Sequence, residues 1–85
     1  MEQIYCVYYN SIYLVDPRIV GYYTDLNIAE KHLCKIREIY REKGFIAHYT
    51  SDMKILVVKT SPKNTLATYT IKAQEVNKIE NFDIE

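Results

Sequence analysis

The sequence predicts an α+β domain of order β-β-α-β-β-β, a mostly antiparallel sheet with one long amphipathic helix packed on one face. Three observations carry that prediction. Apolar residues recur at helical spacing through residues 24–44, TDLNIAEKHLCKIREIYREKG. Runs of β-branched and aromatic residues, bounded by turn signals, flank that stretch on both sides. The chain has 85 residues, room for a single domain over 1–85 whose core buries about 60–65% of the unfolded surface.

The first strand covers residues 3–9, QIYCVYY, where apolar side chains fall on both faces. A strand of that kind is central or covered on its second side. With Ile4, Cys6 and Tyr8 toward the helix, Tyr5, Val7 and Tyr9 project the other way. Asn10 and Ser11 signal a turn, and residues 12–15 read as a short strand ended by Pro17. Residues 19–23, IVGYY, form the next strong strand; Gly21 marks a bulge or a close approach of the helix.

At about 100° per residue, Leu26, Ala29, Leu33, Ile36 and Tyr40 share a narrow arc of the helix, which Ile28, His32 and Ile39 widen. Lys31, Lys35, Arg37, Glu38, Arg41 and Glu42 lie opposite. Thr24 is the expected N-cap, with Tyr23 and Ile28 at hydrophobic-staple spacing and Asn27 with Glu30 offering a later start. Gly44 supplies the left-handed residue that ends many helices.

Three more strands follow: FIAHYT at 45–50, MKILVVKT at 53–60 and LATYTIKA at 66–73. Ser51 with Asp52 gives one turn, and residues 61–64 give the clearest loop. In the last strand Tyr69, Ile71 and Ala73 share a face. Residues 74–85 make an acidic tail in which Val76, Ile79 and Phe82 suit a short helical turn.

Eleven basic and eleven acidic residues cancel, which argues against polyanion binding by bulk charge. The distribution is uneven, since residues 31–72 hold nine Lys or Arg against three Asp or Glu. No apolar run approaches the roughly 20 residues of a membrane span, and the N-terminus lacks the features of a secretory signal. Cys34 falls on the polar arc of the helix and Cys6 in an apolar strand. An exposed unpaired thiol suits a reducing cytoplasm. Nine tyrosines without tryptophan, beside many Ile, Lys and Asn, point to AT-rich codons and hence to an AT-rich host, virus or mobile element.

No residue pattern points to catalysis, a metal or a cofactor. His32 and His48 lack metal-ligand spacing, and His32 and Cys34, two apart on a helix, point to different sides. The expectation is a protein without enzymatic activity. Tyr5, Val7, Tyr9, Tyr22, Tyr49 and Tyr69 are the candidate partner or dimer face, because stiff aromatic side chains dominate interface cores. Base stacking on the same tyrosines is the alternative, a nucleic-acid-binding module.

The segment VYYNSIYLVDPRIVGYYTDLNIAEKHL resembles a pattern of small uncharacterised β-β-α accessory proteins of phages and large DNA viruses. A short aromatic strand, a loop, and a strand ending in Gly-aromatic-aromatic-Thr lead into a helix with an early alanine. The matching positions are 7–9, 19–24, Ala29 and Leu33, about a third of the chain. The resemblance implies an accessory viral or mobile-element protein in the host cytoplasm. Small members of that class often act by binding a host protein, for example a defence protein. Independently, two copies burying the face of Tyr5, Val7 and Tyr9 symmetrically are expected to make the chain a homodimer.

Overall fold

The computed structural model describes residues 3–50 and 54–75. They form β1 (Gln3–Ser11), β2 (Arg18–Tyr23), α1 (Leu26–Glu42), β3 (Ile46–Tyr49), β4 (Ile55–Ser61) and β5 (Asn64–Glu75). This is the expected α+β order, one helix against a single antiparallel sheet. The sheet order is β2-β1-β5-β4-β3, and every neighbouring pair is antiparallel. The last strand is therefore the middle one. The helix links the two edge strands, and its length of about 25 Å at 1.5 Å per residue carries the chain across the sheet. The turn expected at Ser51 and Asp52 and the tail motif of Val76, Ile79 and Phe82 lie outside the described residues.

Asp25, rather than Thr24, caps the helix. Its backbone is extended, and Oδ1 accepts from the amide of Asn27 at 2.8 Å. A carboxylate satisfies an orphan amide of the first turn and also meets the positive end of the helix dipole. Ile28 is 50% exposed, so the expected staple to Tyr23 is not the device that sets the entry. At the other end Gly44 adopts φ +90°. Its amide donates to the Arg41 carbonyl, and the Phe45 amide donates to the Tyr40 carbonyl, both at 3.0 Å. This crossed pair is a Schellman motif, and the edge-on contact of Phe45 with Tyr40, 5.6 Å between centroids, is its usual apolar partner. Arg41 Nε then donates to the Ala47 carbonyl at 3.1 Å and ties the helix end to β3.

The core lies between helix and sheet. Ala29 and Leu33 meet Val7, Ala47, Leu56, Val58, Ala67 and Ile71, with Leu26, Ile36 and Tyr40 packed around them. Ile39 is 51% exposed, outside the buried stripe. Register explains the selection. Val7 pairs with Ile71 and Tyr9 with Tyr69; Leu56 pairs with Tyr69 and Val58 with Ala67; Ala47 pairs with Val58. All therefore share the helix side of the pleat.

This inverts the expected faces of β1. Tyr5, Val7 and Tyr9 lie under the helix, while Ile4, Cys6 and Tyr8 belong to the opposite face. Residues 12–15 form no strand. A bulge between β1 and β2 falls at Val7 and Tyr8, where Val20 is the extra residue. What crowds Gly21 is Tyr23, whose ring carbon would stand 2.7 Å from an added Cβ, so glycine here makes room for a tyrosine and not for the helix.

Cys6 is buried and Cys34 exposed, and burial pushes the Cys6 thiol up. A thiol reagent is accordingly expected to modify Cys34 in the native protein at once and Cys6 only after denaturation. Fast labelling of both, followed by mass spectrometry, would overturn the placement of β1.

Candidate functional site

Five of the six residues expected to form a partner face are interior or half-buried on the helix side. Val7 is fully buried, and Tyr5, Tyr9, Tyr49 and Tyr69 pack against the core. The rings of Tyr9 and Tyr69 approach to 4.9 Å between centroids. The hydroxyls of Tyr69 and Tyr40 bond at 2.9 Å, closing a link between β5 and the helix. Tyr49 lies beneath the Arg37 guanidinium, 4.8 Å from its ring centroid. Of the six, Tyr22 alone stands on the side away from the helix, opposite Cys6 in the ladder. The physical reason is that aromatic side chains long enough to span to a helix are spent filling the gap between the layers.

Three tyrosine hydroxyls on the helix side, those of Tyr69, Tyr23 and Tyr49, are set against ionisation. Burial, and then the bond to Tyr40, hold Tyr69 far above the ordinary value of 10.0. Burial raises Tyr23 and Tyr49 too. A raised folded-state pKa means stability that is intact below the unfolded pKa and lost as pH climbs past it toward the folded value. Thermal melts should hold steady up to about pH 10 and then fall. Tyr69→Phe should remove part of that alkaline fall. An equal fall in the variant would show that Tyr69 takes no part.

Neither histidine stands in a metal-binding group: among the described residues no cluster of three or more His, Cys, Asp or Glu side chains is placed to hold an ion. His32 Nδ1 is bonded to the Tyr23 hydroxyl, joining the helix to β2, and His48 is exposed on β3. Cys34 has Arg37 Nη2 at 3.9 Å. Among the described residues no helix is long and apolar enough to cross a membrane.

Two surfaces stand out instead. The first is the β1–β2 loop, where Ile12, Tyr13 and Val15 are 67%, 81% and 97% exposed. The loop is nevertheless held in place. Ile12 N–H donates to the Leu66 carbonyl at 3.2 Å, and Leu14 N–H donates to the Ser11 carbonyl at 3.0 Å. Tyr13 N–H donates to Oγ of the buried Ser11 at 3.1 Å. Three apolar side chains are thus fixed outward around one half-buried anchor, Leu14. A shallow hollow of about 250 Å³ adjoins them, between Ile12, Leu66 and Ala67. Reading residues 12–15 as a strand concealed this knuckle; an apolar run between a turn signal and Asp16-Pro17 was its signal in the sequence.

The second surface is the helix-free face of the sheet. Tyr8 and Tyr22 sit there with Asn10, Thr68, Thr70, Lys72 and Gln74, and a groove of about 380 Å³ runs along β1 and β5 beside Tyr8 and Lys72. Lys72 Nζ lies 5.5 Å from the centroid of the Tyr8 ring. Burial raises the Tyr8 hydroxyl's pKa, an effect partly offset by a hydrogen bond with Gln74. Comparison with protein families, with curated proteins and with solved structures finds no match to this chain.

Proposed function

We propose that this chain is a binding protein without enzymatic activity that acts by docking on another protein, with the β1–β2 loop as its principal contact. The observation that carries this reading is the outward display of Ile12, Tyr13 and Val15 on a loop already hydrogen-bonded into shape. Large apolar side chains exposed this fully and clustered within four residues are a mark of interaction sites. An aromatic flanked by aliphatic side chains suits the centre of an interface. Prior ordering of the loop lowers the entropy lost on binding.

The composition and the resemblance to phage and large-virus accessory proteins support a partner in a host cell, with inhibition of a host defence protein as the proposed role and the host cytoplasm as the proposed location. The argument for a homodimer built on Tyr5, Val7 and Tyr9 does not transfer to the observed surface. Self-association through the loop is the competing outcome.

The test compares the wild-type chain with Tyr13→Asp/Val15→Asp, both exposed positions whose replacement should leave the melting curve nearly unchanged. A defined protein retained from host lysate by wild type, lost with the variant and reconstituted with purified partner would support the reading. Identical capture by both proteins would overturn it. So would a wild-type dimer at micromolar concentration that the variant abolishes with no foreign protein bound.

A further inference from the structure

The helix-free face of the sheet has a chemistry that the loop reading does not use. Strand register assigns to it Ile4, Cys6, Tyr8 and Asn10 from β1, Ile19 and Tyr22 from β2, and Thr68, Thr70, Lys72 and Gln74 from β5. From the far side come Ile55, Val57 and Lys59 of β4 and Ile46 and His48 of β3. Among the described residues the register puts no carboxylate there. The acidic side chains of the helix lie on the other side of the molecule. A chain of zero net charge therefore has one face whose charged groups are lysines.

The aromatic groups on this face are placed as a pair. Tyr22 stands opposite Cys6, and Tyr8 follows Cys6 by two residues on β1. The two rings therefore lie on one face of neighbouring strands, on either side of the bulge at Val7 and Tyr8, with Ile19 opposite Tyr8. Successive bases of an extended strand can meet such a pair. Cys6 between them is fully buried although it faces away from the helix, so it forms a small apolar floor between the two rings. Lys72 also faces Cys6 across the ladder, and its ammonium lies 5.5 Å from the centroid of the Tyr8 ring. Further along β5, Thr70 and Thr68 present hydroxyls, and Asn10 and Gln74 present amides that both donate and accept.

Stacking planes, an ammonium beside them and neutral hydrogen-bonding groups along a shallow track are the parts of a single-strand binding site. An acidic peptide would use the lysines but has no need of paired rings. We propose that this face binds a single-stranded nucleic acid, with bases stacked on Tyr8 and Tyr22 and phosphates meeting Lys72 and then Lys59. On binding, the Lys72 ammonium leaves the Tyr8 ring for a phosphate as a base takes its place. The protein contact through the loop and this nucleic-acid contact use separate residues, so either can fail without the other.

The experiment is fluorescence anisotropy of a fluorescein-labelled oligothymidylate and oligouridylate titrated with the full chain at low and at moderate salt. Saturable binding that weakens with salt is expected, because each phosphate neutralised releases counterions. Tyr8→Ala should weaken binding by about 5- to 150-fold, the loss of one stacked base. Since Tyr8 is half-buried, Lys72→Glu supplies an exposed second variant with no folding risk, and it should also weaken binding at least about tenfold at low salt. Lys35→Glu, the same charge change on the helix, should leave affinity within about twofold, since its effect would be bulk electrostatics alone. Tyr13→Asp/Val15→Asp should bind as wild type does. Absence of saturable binding at low salt would overturn the proposal. Equal losses from Lys35→Glu and Lys72→Glu, equal affinity for a duplex, or a mononucleotide or acidic peptide that binds as tightly as the strand would do the same.

Discussion

Leu33→Ala is expected to cost about 2–5 kcal/mol of folding stability, the largest loss from any single truncation in the helix. Leu33 is fully buried and sits in the cluster where helix and sheet meet. Its loss removes the transfer free energy of several methyl and methylene groups and leaves a cavity that a rigid sheet cannot close. Ala29 beside it is too small to fill the space, and the rings of Tyr40 and Tyr69 are tied together by their hydroxyls. A folded domain has a margin of about 5–15 kcal/mol, so the variant should be close to its limit. Urea melts of the two proteins measure the difference. A loss below about 1 kcal/mol would mean that Leu33 is not central to the packing.

Val7→Glu should abolish folding at neutral pH. The substitution forfeits about 1.5–3 kcal/mol of apolar burial and places an unpaired carboxylate where burial costs still more. Val7 is fully buried, and its cross-strand neighbours are Ile71 and Gly21, none of which can partner a charge. Circular dichroism should show a chain without cooperative melting, with partial recovery on acidification as the carboxyl takes up its proton. Tyr22→Lys is the matched control on the opposite face and should cost less than about 1 kcal/mol. If Val7→Glu instead folds normally and merely changes the state of association, the helix covers the other face of β1.

The contrast between Val7 and Tyr22 shows where sequence reading succeeds here and where it stops. The helix was legible because Leu26, Ala29, Leu33, Ile36 and Tyr40 keep one spacing against a fully polar opposite side. The fifth strand was legible too, since Tyr69 and Ile71 alternate with Thr68, Thr70 and Lys72. In β1 the pattern carries no such information. Ile4, Cys6 and Tyr8 are as apolar as Tyr5, Val7 and Tyr9, and either set suits a core. Register decides, and register depends on strand order, which places β1 beside β5. The tyrosines misled for a related reason: abundance on strands does not say which side of a sheet they face. The apolar knuckle was missed because Ile12, Tyr13 and Val15 have high strand propensity, yet two bonds that Ser11 accepts, from the amides of Tyr13 and Leu14, bend the segment into a turn. Asp25 displaced Thr24 as the cap by a margin of one residue, the ordinary uncertainty of a helix end.

Because β5 is the middle strand, the sheet cannot close until the last of its strands has been made. The β1–β2 pair and the β3–β4 pair emerge first, but nothing joins them until residues 64–75 have been synthesised. Chains grow from the N-terminus, so β1 and β4 wait with open edges rich in Tyr, Val and Ile, the kind of edge that pairs with strangers. The closing contact, Val7 with Ile71, spans most of the chain, and such non-local pairing folds slowly. Completion of the sheet is thus a single late event that waits for β5. A transcript cut short before β5 yields two unmatched hairpins prone to aggregate rather than a smaller working domain.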